Sequence, residues 1–303
     1  MSTPFGILNV DKPAGLTSRD AVNRIEGLLR NVKCGHAGTL DPLATGVLVI
    51  CVGPATRLIQ YVQRLPKHYR AVFQLGRKSA TDDVEGEVEL VAGAPEPTLA
   101  QIEAVLPQFL GDIPQRPPTH SAIKVDGQRS YERARRGEEF ELPARTITIH
   151  RLEIMRYEYP ELELAIECGS GTYVRSLGRD LAAALGSAAV MSALVRTAIG
   201  DFRLDDAVAL DAITNSTLAE HLQPPIKALK CLPQIALNDR ELVELRHGRP
   251  IERRNFKRPT AGNVAAAVVP NTEWAAIDPA GHLAAILFEK HPNQLWPARN
   301  FEA

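Results

Sequence analysis

The chain has 303 residues, of which 45% are hydrophobic and 23% charged, with 35 Lys or Arg against 36 Asp or Glu for a net charge of -1. That length suits one large domain and a small one, because single cores stop growing beyond about 250–300 residues, and the composition excludes a disordered or fibrous chain. No apolar run approaches the ~20 residues that span a bilayer, and the start MSTPFGILNV lacks the basic and apolar regions of a secretory signal, so a cytoplasmic protein without a membrane span is expected.

FGILNV (5–10) reads as a strand, and Thr17-Ser18 then caps a helix whose Val22, Ile25, Leu28 and Leu29 recur on one face. The glycine-rich segment 35–46 is followed by VLVICVG (47–53), an unbroken apolar run that predicts a strand buried on both faces. A strand over 69–75 leads through a hairpin-like acidic stretch into 88–91. Thr98-x-x-Gln101 is a capping box that opens a helix through Leu99, Ile102 and Val105, disturbed by Pro107. Strands are predicted over 145–157 and 160–168, the second alternating Leu162, Leu164, Ile166 and Cys168 with polar residues. A turn at 169–171 feeds a helix ending near Gly186. Beyond the proline-punctuated linker 223–234, short apolar strands at 264–269, 274–278 and 283–288 predict a small β-rich domain. Strands and helices mix without regular alternation, which favours α+β over a doubly wound sheet.

The near-neutral balance conceals segregated charge. Residues 1–80 hold 11 basic and 4 acidic side chains, a difference of +7, while residues 81–115 hold 8 acidic and no basic ones, a difference of -8. Such blocks polarise a surface or simply alternate around a solvated one. Cys34, Cys51, Cys168 and Cys231 form no CxxC pair and no zinc-like spacing with histidine, so reduced thiols are expected. Cys34 and His36 lack two further ligands nearby, and no metal is expected.

Several segments carry candidate chemistry. In GHAGTLDPLATG (35–46), Pro42 restricts Asp41 to extended backbone, and the glycines allow another molecule close approach. Asp-Pro is also how helices begin, with Asp41 as cap and Pro42 at the first position. Gly169-Ser170-Gly171 resembles the opening of a dinucleotide-binding turn, but Val174 stands where the third glycine belongs. The pair Asp82-Asp83 reads as a turn before it reads as a cation site. RPPTHSAIKVDGQRSYERARR (116–136) is basic around one tyrosine, a composition that suits RNA and equally a charged surface helix. Arg253, Arg254, Lys257 and Arg258 could touch phosphate or form a solvated loop.

The strings LNVDKPAGLTS (8–18), GHAGTLDPLATGVL (35–48), KHYRA (67–71), HSAIKVDGQRSYERARRG (120–137) and GTYVRSLGRDL (171–181) together resemble the TruB family of bacterial tRNA pseudouridine-55 synthases. The resemblance implies an α+β pseudouridine-synthase fold with a central mixed, mainly antiparallel sheet in a catalytic domain over 1–228. It further implies a thumb-like RNA-binding insertion at about 116–145, and a small PUA-like β domain over 229–303. It implies isomerisation of a uridine in the T arm of tRNA without a cofactor. The alternative is an RNA-binding or tRNA-folding protein on the same scaffold, independent of catalysis; a monomer is expected. Carried onto this chain, Asp41 matches the nucleophile, Arg175 its paired arginine, and Tyr69 the tyrosine that stacks on the base. His36, Tyr173 and Leu194 match residues that contact the RNA or line the uridine pocket. The basic charge of the insertion makes Lys124 and Arg135 expected phosphate contacts. Where the family often has Thr-Asp-Thr, this chain has Ser79-Ala80-Thr81, so that aspartate's contact is either absent or made by Asp82.

Overall fold

The computed structural model describes residues 4–118, 124–125, 128–129, 142–252, 273–291 and 293–301. In chain order the strands begin with β1 (Gly6–Lys12), β2 (Cys34–His36), β3 (Thr45–Val52), β4 (Lys67–Leu75), β5 (Arg77–Lys78) and β6 (Glu89–Leu90). They continue with β7 (Gly111–Gln115), β8 (Lys124–Val125), β9 (Gln128–Arg129), β10 (Arg145–Glu158), β11 (Glu161–Cys168), β12 (Ala189–Ile199), β13 (Phe202–Arg203) and β14 (Val208–Ala209). The last five are β15 (Gln234–Ala236), β16 (Ile251–Glu252), β17 (Glu273–Ile277), β18 (Leu283–His291) and β19 (Gln294–Asn300).

One large sheet runs β14-β1-β3-β12-β4-β11-β10-β7, with β2 added to β3 and β13 to β12. Its β1–β14 and β3–β12 pairs are parallel and its other pairs antiparallel. This is the α+β class that the pattern of elements predicts, with the mixed, mainly antiparallel sheet that the resemblance implies. A second sheet runs β15-β17-β18-β19-β16. Strands 274–278 and 283–288 are present as β17 and β18, whereas the strand expected over 264–269 and the basic stretch 253–258 lie outside the described residues.

β3 is buried from Gly46 to Val52 because both faces are covered. Its Leu48, Ile50 and Val52 enter one core with Leu8, Val10, Val22, Ile25 and Leu177. Its alternate residues Val47, Val49 and Cys51 enter another, where Ala275, Leu283, Ile286 and Phe301 of the second sheet join them. The two sheets therefore share a core. All four cysteines are free thiols.

Helix α1 (Ser18–Leu28) starts at a capping box in which Thr17 accepts from the Asp20 amide and Asp20 from the Thr17 amide. Thr17 is thus the cap, and the neighbouring Ser18 is buried and turned to another task described below. The capping box at Thr98 and Gln101 opens a helix over Leu99–Val105, and Pro107 sits in the 3-10 turn that follows. Helix Val174–Ala184 packs Gly178 directly on Phe73 of β4; a methyl there would lie 2.1 Å from the ring.

β12 was not legible as a strand because register shifts at Met191/Ala193 and Arg196/Ala198 break its two-residue period. β7 hides for another reason: it contains Pro114, which is tolerated because β7 is an edge strand.

Candidate active site

Asp41 stands in a turn between β2 and β3, where its carbonyl accepts from the Ala44 amide at 3.1 Å. No helix begins there, so the capping alternative is not realised. The turn is pinned from three sides. Ser18 Oγ accepts from the Leu40 amide at 2.7 Å and donates to the Leu40 carbonyl at 3.1 Å. The Gly15 amide donates to the Pro42 carbonyl at 2.8 Å, and the fully buried Lys12 Nζ donates to the carbonyls of Leu16 at 2.7 Å, Pro13 at 2.8 Å and Pro42 at 3.4 Å. From the far side, Arg196 donates to Gly38 and Thr39, both at 3.2 Å, and to Val47 at 2.7 Å. Buried carbonyls need such partners, and here they fix the loop's path.

Arg175, in the first turn of helix Val174–Ala184, meets two carboxylates. Its Nε lies 2.9 Å from Asp41 Oδ2 and its Nη1 3.2 Å from Asp83 Oδ2. Nη1 also donates to the Thr81 carbonyl at 2.7 Å. The Asp83 side chain is 2% exposed and is held by Thr81 Oγ1 at 2.5 Å and the Glu85 amide at 3.0 Å, whereas the Asp41 side chain keeps 31% of its surface accessible. Only Asp41 of this pair can reach another molecule. Burial pushes the Asp41 carboxyl above the usual aspartate value; Arg175 and Lys12 oppose this, and Asp83 adds to it. Asp41 is therefore not at the ordinary value expected for an exposed aspartate, although its arginine partner is present.

The carboxylate from the 79–85 loop that reaches Arg175 is Asp83, not Asp82. Asp82, in the left-handed conformation at φ 60, pairs instead with Arg179 Nη1 at 2.8 Å. Among the described residues no group of His, Cys, Asp and Glu could hold a metal ion.

Tyr69 lies on β4 with Ile166 of β11 on one side and Arg196 of β12 on the other. Burial pushes its phenol up and the Asp41 charge adds to this, while the Arg196 charge opposes both. Leu194, two residues from Arg196 on β12, packs in the core against which Tyr69 and Leu43 lie. Tyr173 caps the helix that carries Arg175. Gln115 holds its amide at 2.8 Å and its carbonyl at 3.0 Å, and the Arg145 guanidinium sits 4.8 Å from its ring centre.

His36 is placed apart, in an open groove with Arg19, Lys33, Thr56, Arg57 and Ile59. Burial and the Arg19 charge lower its imidazole, leaving it neutral at pH 7. The side chain of Lys124 and all of Arg135 lie outside the described residues; the backbone of Lys124–Val125 pairs antiparallel with that of Gln128–Arg129.

The structure thus pairs Asp41 with Arg175 and sets Tyr69 and Leu194 on the adjacent strands β4 and β12, while Tyr173, two residues before Arg175, contacts Gln115 and Arg145. Sequence reasoning missed Lys12, Asp83 and Arg196. Lys12 lies within the LNVDKPAGLTS string, but nothing local marks it as buried. Asp83 was visible only as half of a turn-forming pair, and Arg196 only as a charged residue in SALVRTAIG.

Residues 26–174 match the family model of the TruB family pseudouridylate synthase N-terminal domain. A tRNA pseudouridine synthase B of Rhodopirellula baltica is 42% identical over 261 residues, 81% of this chain and 75% of that one. That of Corynebacterium aurimucosum is 41% identical over 290 residues, 94% and 92% of the two chains, and that of Caulobacter vibrioides 39% over 302 residues, 98% and 96%. Among solved structures, a chain of an H/ACA RNP bound to a substrate RNA containing 2'-deoxyuridine superposes with a TM-score of 0.73 at 24% identity, covering 99% of this chain and 86% of that one. A chain of a Cbf5-Nop10-Gar1 complex superposes with a TM-score of 0.71 at 26% identity, covering 98% and 84%. These two define the fold.

Proposed function

The chain belongs to the TruB family of pseudouridylate synthases, and from that premise we propose that it isomerises uridine 55 in the T arm of tRNA, with Asp41 as nucleophile. The observation that carries this reading is the contrast between the two carboxylates on Arg175. Asp83 is sealed and anchors the guanidinium, while Asp41 is accessible and aimed by it.

The reaction breaks the N1–C1' bond, turns the base and joins C5 to C1'; a proton leaves C5 and one is added at N1. Nothing in that balance is oxidised, so no redox cofactor or nucleotide is required. A carboxylate that attacks the sugar carbon, or stabilises positive charge on it, serves as it does in a retaining glycosidase. Raising the Asp41 carboxyl makes its carboxylate more basic and a stronger nucleophile, and the Arg175 charge opposes the rise. Flipping the target out of the arm costs a few kcal/mol, and stacking on Tyr69 returns ~1–3 kcal/mol. Tyr69 on β4 lies opposite Arg196, and in its phenolate form it would take the C5 proton late in the reaction.

Tyr173 and Leu194 line the base pocket in this reading. His36 with Arg19, Lys33 and Arg57 faces the RNA backbone, and Lys124 and Arg135 in the basic insertion hold the arm. The protein acts as a monomer, with the division between catalytic and PUA-like parts near residue 228. The order of elements supports this: the large sheet ends at Ala209 and the second begins at Gln234. Incubating the chain and its Asp41→Asn variant with a uridine-containing T-arm stem-loop, then mapping pseudouridine, tests the proposal. Product is expected only with the parent, and binding with both; unchanged turnover by the variant overturns the nucleophile assignment.

A further inference from the structure

Arg196 is 1% exposed, and it donates to backbone carbonyls rather than to a carboxylate. Burying a charge is costly unless hydrogen bonds satisfy it. An apolar residue in β12 would have filled the same space more cheaply, so the placement of this cation calls for a reason. Its three acceptors are Gly38 and Thr39, on the loop that carries Asp41, and Val47, at the start of the strand that ends that loop. Its backbone neighbour on the other side is Tyr69, directly opposite in the β4–β12 register. Opposed residues on adjacent antiparallel strands put their side chains on one face. β3 reaches Arg196 closely because residue 46 is glycine: a Cβ there would lie 2.3 Å from the Arg196 carbonyl oxygen, and its φ is +97.

We propose that Arg196 is a positioning residue for the isomerisation, a single guanidinium that locks the Asp41 loop to β12 and at the same time faces the Tyr69 phenol, so that the two reacting side chains keep one fixed separation. Its planar fork supplies donors in three directions, which a lysine ammonium on the same stem cannot reproduce in that geometry. The lock acts on the loop from the side opposite Lys12 and Ser18. Arg175 then needs only to aim the carboxylate, not to hold the backbone. The positive charge beside Tyr69 also favours the phenolate, which is the form that accepts the C5 proton; burial and Asp41 work against that form.

This inference rests on the assignment of Asp41 and Tyr69 as reacting groups, and the test separates the two. Single-turnover rates on a T-arm stem-loop, the Kd for the same RNA, and the pH profile of the rate are measured for the parent, Arg196→Lys and Arg196→Met. If the parent makes no pseudouridine, the functional reading fails. If it does, Arg196→Lys is expected to stay folded, bind RNA within about twofold, and lose rate on the order of 100-fold, the penalty of an ångström-scale misplacement. Amide exchange should rise across residues 37–44 and not in β17–β18. In Arg196→Met, loss of the charge should also raise the Tyr69 phenol, moving to higher pH the limb on which the rate rises as the phenolate forms. A rate in Arg196→Lys equal to the parent's overturns the proposal. So does a loss confined to Kd, or failure of both variants to fold, because each assigns Arg196 to binding or to stability instead.

Discussion

Asp41 carries a strain that can be read from its surroundings. Its folded-state carboxyl is raised, so the folded protein binds that proton more tightly than the unfolded chain does. The stability this group contributes is present below the ordinary aspartate value and lost as pH rises through the raised one; at neutral pH the ionised carboxylate works against folding. Asp41→Asn should therefore abolish turnover while leaving Tm unchanged or higher, as happens where function and stability oppose each other. A lowered Tm in a thermal melt would mean that the carboxylate holds the fold. The same shift sets a pH dependence: the acid limb of the single-turnover rate should lie above pH ~4, where an unperturbed aspartate titrates. A limb at or below that value would exclude Asp41 as the ionising group. Arg175 behaves differently, since its removal leaves Asp41 and Asp83 facing each other without compensation. Arg175→Met should cost ~3–5 kcal/mol in urea unfolding, the loss expected when one partner of a buried pair is deleted.

At the scale of elements, the site depends on how closely helix Val174–Ala184 lies on β4. Gly178 permits that approach, and its neighbours on the same helix include Arg175, so the glycine sets where the guanidinium stands. Gly178→Ala drives a methyl into the Phe73 ring; overpacking of this kind costs ~1–3 kcal/mol. The expected outcome is a lowered urea midpoint together with a reduced single-turnover rate, because the helix must move away from β4 to relieve the clash. Stability lost without any change in rate would show that the helix can shift without carrying Arg175 from Asp41. Helix α1 contributes in another way. Thr17 and Asp20 settle its start, and this frees Ser18 to hold the Leu40 backbone.

For the molecule as a whole, the second sheet is not a loosely tethered appendage, because Phe301 and Ile286 lie in the same core as Ile7 and Val49. Phe301 stacks on Phe5 with ring centres 5.5 Å apart, and the Arg57 guanidinium lies 4.6 Å from its centre. Phe301→Ala should cost ~3–5 kcal/mol and keep a single unfolding transition in calorimetry; two separated transitions would mean that the sheets unfold independently. The basic character of residues 1–80 becomes local in three dimensions, where Arg19, Lys33 and Arg57 converge on the groove beside His36. Replacing Arg19 and Lys33 by alanine should weaken RNA binding and reduce the slope of log K against log salt by about 1–2, since each phosphate contact contributes ~0.7–0.9. An unchanged slope would place the RNA backbone elsewhere.

Taken alone, the sequence determined the α+β class, the buried strand at VLVICVG and the two capped helix starts, and its family resemblance singled out Asp41, Tyr69 and Arg175 as candidates. Their signals are local: an apolar run, a capping box, a motif of consecutive residues. What it could not determine was the company those residues keep. Lys12, Asp83 and Arg196 lie 29 residues or more from at least one of the groups they hold in place, and each by itself reads as an ordinary surface charge. Whether a charge is solvated or buried depends on which strands pair over it. The bulges of β12 broke the periodicity that would have announced that pairing. Tertiary structure alone decided that one arginine meets an accessible and a sealed carboxylate, and that another binds the loop between them to the strand beneath.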